Sequence, residues 1–335
     1  MHKRVRLEDV AHLAGVSTAT VSRALSLPHR VQPTTLEQVQ RAIQKLGYVP
    51  DAAGRALASG RTKTVGCVIP TLDHAIFASS THAMQTTLAA AGFHLLVASH
   101  EYDPVNELAL VQSLQQRGVD ALVVVGTEHH KNFWKVVQEW GRPSLLTWSC
   151  DARLPSVGFD NQAIARLGTR HLLDLGHREL AMVSGHTLHN DRARDRVAGF
   201  RAALEEAGLR IDKGQVSMQA LKISGGRIGL TELLRAKNRP TAILCGNDLL
   251  AIGVLLEAQR RGIRVPEDLS ICGIDNHDLA AEITPGVTTI SLPTRELGQI
   301  AAMQILAAID GAPIAQQSLL PFGLLVRGTT ARRGG

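Results

Sequence analysis

At residue 64 the chain changes its period, and that change limits what it can fold into. Beyond Thr64, apolar runs of strand length recur at Val65–Ile69, His94–Ala98, Ala121–Val125, Ser144–Thr147, Leu180–Ser184, Ala242–Cys245 and Ser270–Ile274. Helical stretches separate most of them, at Thr81–Ala91, Val105–Arg117, Ala163–Leu175, Arg194–Ala207, Gly226–Arg235 and Leu249–Arg261. Continuous apolar strands alternating with helices require parallel sheets covered on both faces. A stretch of about 270 residues is large for one doubly wound sheet, so two similar lobes are expected.

Before residue 64 the pattern is helical. Leu7, Val10, Ala11 and Ala14 recur at the spacing of one helix face, and Gly15 stops that helix. Ser17 is a suitable N-cap for a second helix through Leu25, with Val21, Ala24 and Leu25 turned inward. A third helix carries Leu36, Val39, Ile43 and Leu46 and ends at Gly47. Its start is open: Thr34-x-x-Glu37 reads as a capping box, while Pro33 suits the first helical position. The first two helices, joined by Ala14-Gly15-Val16, make a helix-turn-helix pattern. The next segment, DAAGRALAS at 51–59, is too short and too weakened by Gly54 to hold a helix alone.

Charge singles out the same head. Residues 1–63 carry ten Lys and Arg against four Asp and Glu, so the whole formal net charge of +6 resides there. A basic head on a neutral body is the part suited to a polyanion. A helix of this kind enters the major groove with its first residues on base edges. Ser17 and Ser22 can donate to phosphates, Arg23 can bond guanine in bidentate fashion, and Thr18 and Ala19 are small enough to meet a thymine methyl.

Other classes fall away. No apolar run reaches the ~18 residues needed to cross a bilayer. The N-terminus lacks a secretory apolar core, so a cytoplasmic location is expected. Cys67, Cys150, Cys245 and Cys272 lie far apart with no CxxC pair, so no zinc ribbon or disulfide framework is encoded. Cys67, Cys245 and Cys272 read as buried free thiols. Ser224-Gly225-Gly226-Arg227-Ile228-Gly229 lacks GxGxxG spacing, and no Walker A lysine motif occurs. His129-His130, His186 and His189 read as surface histidines. The run Asp191, Arg192, Arg194, Asp195, Arg196 reads as a solvated helix start with Arg196 the exception. No catalytic residue, metal ligand or cofactor site is expected.

Several blocks carry a resemblance. They are LEDVAHLAGVSTATVSRAL (7–25), KLGYVPDAAGRALASGRT (45–62), VGFDN (157–161), LGHR (175–178), DRVAGFRAAL (195–204), CGNDLLAIGVL (245–255), VPEDLSICGIDN (265–276) and TTISLP (288–293). In this order the chain resembles the lactose/galactose repressor (LacI/GalR) family of bacterial transcription regulators along nearly its whole length.

The resemblance implies an all-α helix-turn-helix headpiece and a two-lobed α/β core like a periplasmic binding protein. It places the headpiece at 1–49, a hinge helix and linker at 50–63, one lobe at 64–161 with 292–322, and the other at 162–291 with 323–335. By position it makes Thr18, Ala19 and Arg23 base-reading residues. Ser17, Ser22 and Arg30 fall at backbone or neighbouring contacts, and Leu57 is the hinge leucine that wedges into the minor groove.

In the core the resemblance makes Arg196 the effector-gripping arginine, and gives Asn247 and Asp275 hydrogen bonds to ligand hydroxyls. Phe77 and Phe159 take aromatic positions near the cleft. Trp148 stands where several members have a polar residue, so it either stacks on the ligand or fills part of the pocket. The partners implied are double-stranded operator DNA, a small sugar or sugar-acid effector, and a second copy of the chain. IPTLDHAIFA (69–78), HEYDP (100–104) and VGFDN resemble the gluconate-operon branch, which implies a sugar acid. The tail GTTARRGG holds no leucine heptad for a tetramerising coil, so a dimer is expected.

Two positions depart from the pattern. Arg6 stands where Ser or Thr is usual, which removes a helix cap, and Gln32 replaces Ser before Pro33. Two other functions fit less well. A sugar-binding receptor without a DNA role is opposed by the basic head, and a sugar-metabolising enzyme by the missing phosphate-binding loops.

Overall fold

The computed structural model describes residues 5–26, 30–49, 60–210 and 214–334. Leu57 and the 51–59 segment lie outside the described residues. The chain divides into a unit spanning Met1–Lys63 and a unit spanning Thr64–Gly335.

The first unit contains α1 (Leu7–Ala14), α2 (Thr18–Ser26) and α3 (Pro33–Leu46). Val10, Ala11, Val21, Ala24, Val39 and Ala42 form its buried cluster; helical spacing picks out all but Ala42, and the other positions it picks pack against the cluster partly buried. Gly15 and Gly47 end α1 and α3 at φ 67° and 61°, a region costly for residues with a Cβ. The Ser17 hydroxyl accepts from the Thr20 amide at 3.2 Å, as an N-cap should. Pro33 takes the first position of α3, behind Gln32, so the capping box at Thr34 is not used. Arg6 supplies no side-chain cap. Instead the Asp9 carboxylate accepts from the Arg6 amide at 2.7 Å, which satisfies one end of α1 from inside the helix.

The second unit contains two six-stranded sheets among the described residues. One comprises β1 (Thr64–Ile69), β2 (His94–Ser99), β3 (Ala121–Val125), β4 (Ser144–Trp148), β5 (Ser156–Gly158) and β11 (Gln317–Leu319), in the order β11-β5-β4-β3-β1-β2. The other comprises β6 (Leu180–Gly185), β7 (Val216–Gln219), β8 (Ala242–Cys245), β9 (Ser270–Asp275), β10 (Thr288–Ser291) and β12 (Gly323–Leu325), in the order β12-β10-β9-β8-β6-β7. The two orders are the same with the strands renamed. Their last members differ: β11 runs parallel to β5, whereas β12 runs antiparallel to β10.

Helices cover both sheets. The first lobe has α4 (Ala75–Ala90), α5 (Pro104–Gln116) and α6 (Phe133–Trp140). The second has α7 (Asn161–Asp174), α8 (Asp191–Glu206), α9 (Ile223–Leu233), α10 (Asp248–Arg260) and α11 (Asp278–Glu282). Then α12 (Thr294–Ile309) returns to pack on α4. The chain therefore passes between lobes after β5, after β10 and between β11 and β12. At these crossings the cores meet: Ile164, Ile274 and Ile290 pack in one cluster with Trp148 and Phe159.

Helix α4 begins at Ala75, six residues ahead of the start read from periodicity. Cys67, Cys245 and Cys272 are free and buried, and burial pushes the Cys67 thiol up to about 12. No described helix is long and apolar enough to cross a membrane.

Candidate ligand cleft and nucleic-acid face

On the first unit, Ser17, Thr18, Ala19, Ser22 and Arg23 are all exposed at the start and along one side of α2. The inward positions Val21 and Ala24 fix which side that is. Arg30 is exposed shortly before α3.

The second unit holds a cleft between its lobes. A cavity of about 320 Å³ is bordered by Asp73, His74 and Tyr102 from the first lobe and by Asn190, Gln219 and Lys222 from the second. Beneath it a recess of about 30 Å³, room for about one water, is lined by Phe77, Trp148, Ser184, Arg196, Asn247 and Asp275. Five of the six effector residues read from sequence thus converge. Phe159 does not line the recess; it sits behind Trp148, ring to ring at 5.9 Å, in the core. Phe77 meets the other side of Trp148 edge-on at 5.0 Å.

Arg196 is buried on α8. Its Nε donates to Asn161 Oδ1 at 3.0 Å and Nη1 to the Gly246 carbonyl at 2.6 Å. The ion pair with Asp275, at 3.6 Å, lies within the second lobe and does not bridge the two. Burial lowers the Arg196 pKa despite Asp275 beside it. Burial also pushes the Asp275 carboxyl up to about 8, although Arg196 pulls the other way. Asn247 caps α10, its side chain accepting from the Leu250 amide at 2.9 Å. Asp248 next to it accepts from Thr289 Oγ1 at 2.6 Å and from the His277 amide at 2.7 Å, yet burial holds it up to about 6.

The cleft also gathers unfavourable backbone. Glu101, Tyr102, Trp148 and Asp275 all have positive φ, and none is glycine. Such residues cost of order 1–3 kcal/mol each and persist where their surroundings hold them, as at binding sites. Ser184 Oγ and Asp275 Oδ1 are buried here without a hydrogen-bond partner among the described residues.

Three features went unrecognised in the sequence. Asp191 and Arg192 are buried, not solvated. Asp191 Oδ2 accepts from both the Thr127 amide and hydroxyl at 2.9 Å, across the lobes, and Oδ1 accepts from Arg192 at 2.6 Å. Burial would raise Asp191, but Arg192, Ser149 and Thr127 outweigh it and hold its pKa below the ordinary carboxylate range. Asn161 binds both lobes, donating to the Trp148 carbonyl at 3.3 Å while accepting from Arg196. His129 is not a surface histidine. Its buried ring lies 3.0 Å from the buried Glu107 carboxylate and stacks on Phe133, because a carboxylate at that depth needs a nearby donor. His186 and His189 are exposed, as expected.

Comparison with known proteins bears on both sites. Residues 6–51 match the model of bacterial regulatory proteins of the lacI family, and residues 169–330 match a periplasmic binding protein-like domain. The chain is 31% identical to the ribose operon repressor of Escherichia coli over 316 residues, 93% of this chain and 96% of that one. It is 30% identical to the HTH-type transcriptional repressor PurR of Photobacterium profundum over 305 residues, 88% of this chain and 89% of that one. Among solved structures, the lac repressor dimer bound to operator and the anti-inducer ONPF superposes with a TM-score of 0.88. It is 27% identical and covers 98% of this chain and 100% of its own.

Proposed function

Because the chain belongs to the lacI family of bacterial regulatory proteins and is a DNA-binding, ligand-responsive transcriptional regulator, we propose that it is a repressor controlled by a small sugar or sugar acid. It binds a pseudo-palindromic operator as a homodimer, and the effector occupies the cleft between its lobes.

One observation carries the ligand reading. At the bottom of the cleft, the buried Asp275 Oδ1 and the buried Ser184 hydroxyl make no hydrogen bond among the described residues, although Oδ1 lies 3.6 Å from the Arg196 guanidinium. Leaving such a group unpaired costs about 1–3 kcal/mol, which a hydroxylated ligand would remove. A carboxyl kept protonated by burial both donates to and accepts from hydroxyls, and a guanidinium donates in a fork, so Asp275 and Arg196 suit a polyol, and Arg196 also suits a sugar acid. A relative named for the ribose operon supports the sugar class. The recess admits only about one water, so a sugar reaches Asp275 only as the lobes part. Parting or closing them is the movement that effector binding would transmit to the DNA-binding unit.

The exposed side of α2 supports the DNA reading, with Arg23 as base reader and Ser17, Ser22 and Arg30 at or near the backbone. Leu96 and Val97, exposed on the edge strand β2, offer apolar surface to a second copy. A thermal-shift screen of sugars, sugar acids and purines, followed by operator binding with each hit, tests the ligand reading. A hit should change operator affinity in the wild type and leave Arg196→Ala unresponsive. A hit from the purines alone would overturn the sugar class. Arg23→Ala should lose about 1–3 kcal/mol of operator preference. Equal weakening on all DNA would make Arg23 a phosphate contact. A monomer or a tetramer by light scattering at micromolar concentration would contradict the dimer.

A further inference from the structure

The glycine-rich stretch at 224–229 forms no nucleotide-binding loop; it brings two helices together. A Cβ on Gly226 would collide with the α10 backbone, and a Cβ on Gly253 would collide with α9. The seam at Gly226 and Gly253 is therefore tight, and it sets side chains of the two helices against each other.

Further along the pair, three guanidiniums converge on one carboxylate. The Glu257 side chain is 2% exposed. It accepts from Arg260 Nη2 at 2.6 Å and Nε at 3.0 Å, from Arg261 Nε at 2.7 Å and from Arg227 Nε at 3.2 Å. Arg261 also donates to Thr231 Oγ1 at 2.8 Å. Arg235 borders the same groove, whose volume is about 360 Å³. The other carboxylate in the groove, Glu232, is occupied by neutral donors, Ser217 Oγ at 2.6 Å and Gln219 Nε2 at 2.8 Å.

The charges do not cancel. Arg227, Arg235, Arg260 and Arg261 face Glu232 and Glu257, a surplus of two positive charges. The side chains of Arg227 and Arg260 remain 48% and 61% exposed, with both terminal nitrogens of Arg227 and one of Arg260 directed to no acceptor among the described residues. The negative ends of α9 and α10 account for a cation or two at this place, not for three on one buried acid with a fourth beside them. The bonds from Arg260 and Arg261 hold Glu257 far below the ordinary carboxylate range, so it stays ionised and keeps the arginines gathered.

We propose that this groove is a second ligand site, for a small molecule carrying a doubly charged oxyanion of the phosphate type. A dianion matches the surplus charge, and guanidinium forks fit phosphate oxygens. The site is separate from the effector cleft. Asn247 caps the opposite end of α10, a 13-residue helix about 20 Å long.

Calorimetric titration of the full chain with inorganic phosphate in its dianionic form, against sodium chloride at equal ionic strength, tests this. Saturable binding is expected, weakened about tenfold by Arg227→Gln and by Arg260→Gln. Arg235→Gln, which disturbs no bond to Glu257, should weaken it as well and guards against a fold defect in the other two. Arg196→Ala, in the cleft, should leave it unchanged. Absence of saturable heat, wild-type binding by all the groove variants, or loss in Arg196→Ala would each overturn the proposal.

Discussion

Trp148 and Asp275 hold the same place in different lobes. Trp148 closes β4 and Asp275 closes β9, the third strands from the same end of two sheets with the same order. Both turn the backbone into the left-handed region, at φ 72° and 114°. Yet one carries a large ring locked between Phe77 and Phe159, and the other a carboxylate left short of partners. The repeated sheet thus delivers two residues to the cleft at matched positions, and their chemistry is chosen independently. The first lobe sets the shape of the recess and the second supplies its polarity.

Trp148→Ala should produce the largest change, a loss of about 3–5 kcal/mol in stability by urea unfolding, as for other buried aromatics. A loss under about 1 kcal/mol would mean that the ring does not support the lobe, and the contrast between the walls would fail. Next comes Asp275→Asn, which keeps the shape and tolerates positive φ. It should bind the effector about 10–100-fold more weakly, or about 1.5–3 kcal/mol, while unfolding like a native protein. Wild-type affinity in that variant would place the polar contact elsewhere.

The smallest effect at any one pH step is a slope in the unliganded protein. The folded Asp275 carboxyl is raised to about 8, against about 4 in the unfolded chain. Its stabilising contribution is therefore complete below about pH 4 and is lost as pH rises towards 8, because the unfolded chain releases the proton first. Melting of wild type and Asp275→Asn across about pH 5 to 7.5 should show the wild type losing ground, by at most about 1.4 kcal/mol per pH unit. A gap independent of pH would show that Asp275 is ionised in the fold.

What could be read from the sequence was local. Gly15, Ser17 and Gly47 mark helix ends within a few residues of the contacts they make, and buried strands announce themselves as apolar runs. The short strands β5 and β11 carry no such run and are fixed by pairing with each other across the sequence. Asp191 and Arg192 look like ordinary charged residues at a helix start until Thr127, 64 residues away, closes over them. Asn161 could be seen only as part of a family block. Nothing in its neighbours states that one end of its amide meets Trp148 and the other Arg196.

That amide has a mechanical consequence. Asn161 lies where the chain first leaves one lobe for the other, and it grips both within about 3 Å. Sliding the lobes would tear the bond to Trp148, whereas turning them about this point would spare it. Motion is therefore funnelled into rotation with Asn161 near the pin. Arg196 works on a short arm close to that pin, and the far rims of the lobes lie on long ones. A displacement of a fraction of an ångström at the ligand then becomes a larger sweep at the rims, with no segment having to unfold.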